Sequence, residues 1–134
     1  MPVALLDTNA VSDLLRDHPQ LKSKSAAHSG LLAYSIVVLG EIRYGLDRLP
    51  LGKKRSDLEA RAQTILSALL DQTITPHVAE TYGRLKATLE TRGLVLQDND
   101  LWIAATTLNL GGVLVTRDQA FKQVPGLTVE DWTA

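Results

Sequence analysis

Four carboxylates stand out by where they fall along the chain: Asp7, Glu41, Asp100 and Asp118. Asp7 closes the apolar run Val3-Ala4-Leu5-Leu6 and is followed at once by Thr8 and Asn9. Asp118 comes just after a second apolar run, Val113 to Thr116. Asp100 heads the stretch Leu101-Trp102-Ile103-Ala104-Ala105, and Glu41 interrupts a segment written otherwise in Ile, Val, Leu and Gly. Near a helix N-terminus an aspartate gains only about 0.3–1 kcal/mol, and that alone would account for Asp7, Asp100 or Asp118 taken singly. Glu41 resists that account. Val37 and Val38 lie a turn before it and Gly45 a turn after, so its face reads as apolar or empty, and an unpaired buried carboxylate is costly. A divalent cation among the acids would resolve all four placements. Oxygen ligands without His or Cys select a hard ion, Mg²⁺ or Mn²⁺. Such sites act on phosphoryl and phosphodiester groups, by acidifying water and by holding the phosphate oxygens.

The elements that must position these acids follow from the apolar pattern. Val3–Leu6, Leu31–Ser35, Val113–Thr116 and Leu127–Val129 read as strands, with a further short strand near Ile74. Helices are expected between them. Asn9 is a candidate cap for the first, Pro19 opens a short one to about His28, and Ser35 caps one running to Leu49 before Pro50. "SDLE", Ser56 to Glu59, has the form of a capping box for a helix with Leu58, Ala62, Ile65, Leu66, Leu69 and Leu70 on one face. Thr75 and Pro76 open another that Gly93 closes, and "QDND" precedes a helix from Leu101 to Leu110 ended by Gly111 and Gly112. Strands alternating with helices predict an α/β domain with a mostly parallel sheet covered on both faces. In such a sheet ligands bind beyond the carboxyl ends of the strands, where Asp7 and Asp118 fall.

Bulk properties narrow the field. The 134 residues correspond to one domain, 1–134, able to bury a core without staples. There are no cysteines, which excludes disulfides and thiolate metal sites and fits a cytoplasmic location. The N-terminus does not read as a signal peptide, and no apolar run approaches the roughly 20 residues of a membrane helix. The net charge of −1 gives no global attraction to nucleic acid, so any such contact falls to local patches. Arg43, Arg48 and the run Lys53-Lys54-Arg55 are the candidates.

The segments "LLDTNAVSDLL", "SIVVLGEIRYGLDRLP", "NDLWIAATTL", "LVTRDQAF" and "VPGLTVEDW", in this order and at these spacings, resemble PIN-domain proteins of the VapC type over essentially the whole chain. These are the toxin halves of bacterial type II toxin–antitoxin pairs. The resemblance implies a parallel five-stranded sheet of order 3-2-1-4-5 between helices, and a Mg²⁺- or Mn²⁺-dependent endoribonuclease acting on tRNA or rRNA. It also implies a homodimer and a VapB-type antitoxin laid over the toxin. The family's acids fall on Asp7, Glu41, Asp100 and Asp118, and its hydroxyl residues on Thr8 and Thr116. Gln97 and Asp98 stand where a proline often precedes the "ND" pair, and Asp98 is read as a helix cap in preference to a further ligand.

In this reading Asp7, Glu41 and Asp100 anchor the ion, Asp118 holds a second ion or a water, and Thr8 and Thr116 orient water or phosphate. Cleavage by activated water would leave a 5′-phosphate and a 3′-hydroxyl. Metal-independent cleavage needs well-placed bases, most often His. His18, His28 and His77 are scattered and show no pairing. An aspartyl phosphatase would want a second Asp where Asn9 stands. A non-toxin nuclease of the same fold, or a protein that binds RNA or a partner without turnover, completes the alternatives.

Overall fold

The computed structural model describes residues 2–134. Its elements alternate as the apolar pattern requires. In chain order they are β1 (Ala4–Leu6), α1 (Thr8–Leu15), α2 (Pro19–Ala27), β2 (Leu32–Ser35), α3 (Ile36–Asp47) and α4 (Lys53–Ser67). After these come β3 (Leu70–Gln72), α5 (Pro76–Thr91), α6 (Asp98–Leu110), β4 (Val113–Val115), a 3₁₀ turn at Gln119–Gln123, and β5 (Thr128–Glu130). The strands form one sheet of order β3-β2-β1-β4-β5, and every pairing is parallel.

β1 and β4 are buried along their whole length, as strands covered on both faces must be. Their register sets Ala4 opposite Val113, Leu5 opposite Leu114 and Leu6 opposite Val115. Gly112 makes that pairing possible. A Cβ at this position would lie 2.7 Å from the carbonyl oxygen of Val3, so only glycine lets the chain enter the sheet so close to β1. The core is continuous, running from Leu5, Leu6 and Val11 through Val38 and Ile103 to Phe121.

Several boundaries differ from the sequence expectation, each for a local reason. α1 is capped by Asp7 rather than Asn9: the Asp7 carboxylate accepts the Ala10 N–H at 2.8 Å. α4 starts at Lys53, so Ser56 lies inside the helix and no capping box forms. There Arg55 reaches Asp47, the Leu49 carbonyl and Glu59, which fixes the first turn four residues early. The third strand is Leu70–Gln72, not near Ile74; Leu70, read as the end of a helix face, opens the strand instead. The caps expected at Ser35 and Thr75 are present, accepting from Val37 N–H and Val78 N–H. Among the described residues no helix is long and apolar enough to cross a membrane.

Candidate active site

Parallel pairing brings the ends of β1, β2 and β4 to one edge of the sheet. The chain leaves β1 on one side toward β2 and reaches β4 on the other, so the crevice above β1 and β4 is a switch point of the topology. Asp7 follows β1 there, and Thr116 and Asp118 follow β4. The first turn of α6 supplies Asp100, and the middle of α3 supplies Glu41.

Asp7 is 3 % exposed. One carboxylate oxygen caps α1 through Ala10, and the other accepts the Thr116 hydroxyl at 2.5 Å. The Thr116 oxygen in turn accepts the Asp118 N–H at 3.0 Å, and Asp118 accepts the Ala120 N–H at 2.9 Å. One hydrogen-bonded chain thus ties the ends of β1 and β4 and fixes both aspartates. Across the crevice the Thr8 hydroxyl donates to Glu41 Oε1 at 2.5 Å. Glu41 is only half-buried, which differs from the buried placement its apolar neighbours suggest: its face opens on a cleft of about 130 Å³ that it lines with Thr8, Ser12 and Arg16.

Burial pushes the Asp7 carboxyl up to about 6, against the pull of its bonds from Thr116 and Ala10, and the negative charges of Asp100 and Asp118 add to the rise. Asp100 is also raised to about 6, first by burial and then by Asp118 and Glu41. Asp100 is therefore close enough to repel Asp7, Asp118 and Glu41, and Asp7 close enough to repel Asp118, and none of the four takes part in an ion pair among the described residues. Arg117, between Thr116 and Asp118, turns away to Asp13 at 3.1 Å. As their side chains stand, no three Asp, Glu or His residues among those described form a ready-made cage for an ion. The donor set nevertheless fits a hard divalent cation: all oxygen, mutually repelling, and short of positive charge.

Asp98 is a correction. It is the first residue of α6, where Gln97 is the cap and no side chain closes it. Its carboxylate accepts the Tyr82 hydroxyl at 2.9 Å and the Lys86 ammonium at 3.1 Å. These partners hold it below the usual carboxylate range, and Tyr82 stacks on Trp102 at 3.7 Å between ring centroids. Asp98 thus joins α5 to α6 and neither caps nor faces the acids with a free carboxylate.

The basic candidates also divide. Arg43 pairs with Asp47 at 2.6 Å and with Glu59 at 2.8 Å, and Arg55 pairs with the same two carboxylates. Both are spent holding α3 to α4. Arg48 lies over the Tyr44 ring at 5.4 Å. Lys53 and Lys54 are exposed at the start of α4. Sequence reasoning passed over Arg16, which lines the cleft with Thr8 two turns further along α1. The only signal was its helical spacing from Thr8. Of the histidines, His18 caps α2 and His28 packs near Trp132, both structural positions.

An α/β sheet of this order, with acids gathered at its switch point, defines a fold class, and comparison with known proteins gives the class its name. The PIN domain profile matches residues 4–127, and the chain belongs to the PIN-domain family, in its VapC group. It is 30% identical over 134 residues to Ribonuclease VapC2 of Rickettsia felis, covering 97% of this chain and 98% of that protein. It is 29% identical over 135 residues to Ribonuclease VapC1 of Haemophilus influenzae, covering 98% of each. The crystal structure of VapBC2 from Rickettsia felis, bound to a DNA fragment from their promoter, contains a chain that superposes with a TM-score of 0.88. That pair is 29% identical, over 97% of this chain and 98% of the other.

Proposed function

We propose that the protein is the toxin of a VapBC-type toxin–antitoxin pair: a Mg²⁺- or Mn²⁺-dependent endoribonuclease, inhibited by a VapB-type antitoxin. It would act in the cytoplasm, as a homodimer, on tRNA or rRNA. The observation that carries this reading is the set of uncompensated acids at the switch point of a PIN fold, two of them raised to about 6. Relatives along the whole chain that are VapC ribonucleases support it.

Asp7, Glu41 and Asp100 would hold the cation, and Asp118 a second ion or a water. When bound, the cation supplies acidity to water and neutralises charge on the phosphodiester. The protein's part is to gather and orient the carboxylates. Thr116 fixes the rotamer of Asp7 and, through its own oxygen, the backbone of Asp118. Thr8 fixes Glu41. Burial of Asp7 keeps bulk water from competing for its oxygens.

An apolar groove of about 600 Å³ between α3 and α4, lined by Leu39, Ile42, Leu46 and Leu66, gives an antitoxin segment a surface to cover. The test is to incubate the purified chain with total cellular RNA, with and without Mn²⁺, and to map new 5′ ends. Metal-dependent ends at defined sites, lost on adding the antitoxin encoded by the neighbouring reading frame, are expected. RNA binding in Mn²⁺ without new ends would overturn the enzyme reading in favour of a binding protein.

A further inference from the structure

A second pocket, of about 580 Å³, lies between the end of α1 and the start of α4. Arg16, Lys53, Lys54 and Arg61 line it, with Asp57 as the one carboxylate. That is a concentration of positive charge in a chain whose net charge is −1. Arg61 is partly compensated by Asp17 at 2.6 Å. Arg16, Lys53 and Lys54 make no ion pair among the described residues.

The pocket is built rather than incidental. Arg55, 20 % exposed at its side chain, holds the turn before α4 by bonds to Asp47, to Glu59 and to the Leu49 carbonyl. The basic run is thereby split: Arg55 serves the frame, and Lys53 and Lys54 face the pocket. Leu15, Arg16, Leu49 and Leu58 also line the cleft that reaches Thr8 and Glu41, so the two spaces lie side by side.

From this adjacency and the unpaired basic side chains we propose that the α1–α4 pocket is a phosphate-binding subsite for the RNA strand whose scissile bond lies at the acids. The inference rests on the ribonuclease reading for its substrate. A polyanion that must approach a cluster of carboxylates needs cations close by, and here they flank the acidic cleft on one side. The apolar floor of Leu15, Leu49 and Leu58 suits the faces of bases or sugars between phosphates. Such contacts position the strand without reading its sequence.

The test measures binding of a short fluorescein-labelled oligouridylate by anisotropy, in EDTA, over a series of KCl concentrations. The protein is the full chain carrying Asp7→Asn, so that binding is read without cleavage. Adding Arg16→Ala, Lys53→Ala and Lys54→Ala should weaken binding about tenfold and lower the slope of log K against log salt by about 2, since each single-strand phosphate contact contributes about 0.7. A Lys53→Gln, Lys54→Gln pair, which keeps the side-chain bulk, should lower it by about 1.4. Arg84→Ala with Lys122→Ala, removing charge elsewhere, should leave it unchanged. An unchanged slope in the pocket variants overturns the subsite. So does unchanged RNA binding with weakened antitoxin binding, which would assign the pocket to an acidic protein segment. Cleavage by the wild-type chain in Mn²⁺ is scored separately: its absence would sink the ribonuclease reading, whereas the salt slope reports on the pocket alone.

Discussion

Thr116 donates its hydroxyl hydrogen to Asp7 Oδ2 at 2.5 Å, across a sequence separation of 109 residues. The bond joins the ends of the two central strands and leaves Asp7 with both oxygens engaged, one by a hydroxyl and one by a backbone N–H. A residue that is at once strand end, helix cap and buried acid has little freedom to move. Its substitution separates structure from chemistry.

Asp7→Asn keeps an oxygen to cap α1, and its amide can donate to the Thr116 oxygen, which already accepts from Asp118. Cleavage should fall at least about a hundredfold, a loss of about 2.7 kcal/mol or more of transition-state stabilisation. The metal-free protein should melt higher than wild type at neutral pH, because a buried charge is gone. Single-turnover cleavage and calorimetry in EDTA check the two halves. Full activity with an unchanged melting point would remove Asp7 from the site.

The raised carboxyls make a pH prediction. An unfolded aspartate titrates near its ordinary value of 3.8, while burial pushes Asp7 and Asp100 up to about 6 in the folded chain. Between those values the folded state binds more protons, so stability falls as pH rises and the penalty is complete above about 6. For Asp7 the penalty is of the order of 2–3 kcal/mol; Asp100, half open to solvent, contributes less. Denaturant midpoints in EDTA should therefore drop between pH 4 and 7, and saturating Mn²⁺ should flatten that part of the curve. A stability profile that rises across this interval without metal would contradict the cluster.

Thr8→Val removes the donor to Glu41 while keeping the side-chain shape. Glu41 is half-buried, so the fold should survive with little change in melting temperature. Activity should fall about tenfold, with the optimum shifting to higher metal concentration, since an unfixed ligand binds less tightly. Thr8→Ser, which restores the hydroxyl, should recover most of it. Equal metal titrations for the Val variant and the wild type would reduce Thr8 to a packing residue.

Gly112→Ala tests the entry to β4. The new Cβ would meet the Val3 carbonyl at 2.7 Å, a backbone atom that can yield only by opening the β1–β4 pair. A loss of about 2–3 kcal/mol is expected, measured by urea unfolding. The same exchange at Gly83, where a Cβ meets nothing within 4 Å, should be neutral or slightly stabilising.

Much of this arrangement was legible in the residues. The acid after each buried run marked the sheet edge, because a strand covered on both faces leaves no other place for a charge. Ser35 and Thr75 announced their helices through local bonds that need only neighbours in sequence. What misled was local grammar overruled by distant partners. Ser56 and Glu59 have the spelling of a capping box, yet Glu59 is taken by Arg43 and Arg55, and the helix begins earlier. Asp98 looks like a cap, yet Tyr82 and Lys86 on another helix claim it. Glu41 looked enclosed because its neighbours on α3 are apolar, and only the packing of α1 shows the cleft beside it. The strand order came from the family resemblance, since alternation alone does not say which neighbours pair.

The pairing of β4 against β1 also sets a timetable. Asp7 is made early by the ribosome, but its partner Thr116 and the neighbouring Asp118 emerge only when most of the chain is already synthesised. Until then β1 has an empty flank and its aspartate no hydroxyl to hold it. A site whose acids come from both ends of the sequence is therefore completed only late in synthesis: the growing chain carries its first carboxylate long before the threonine that orients it.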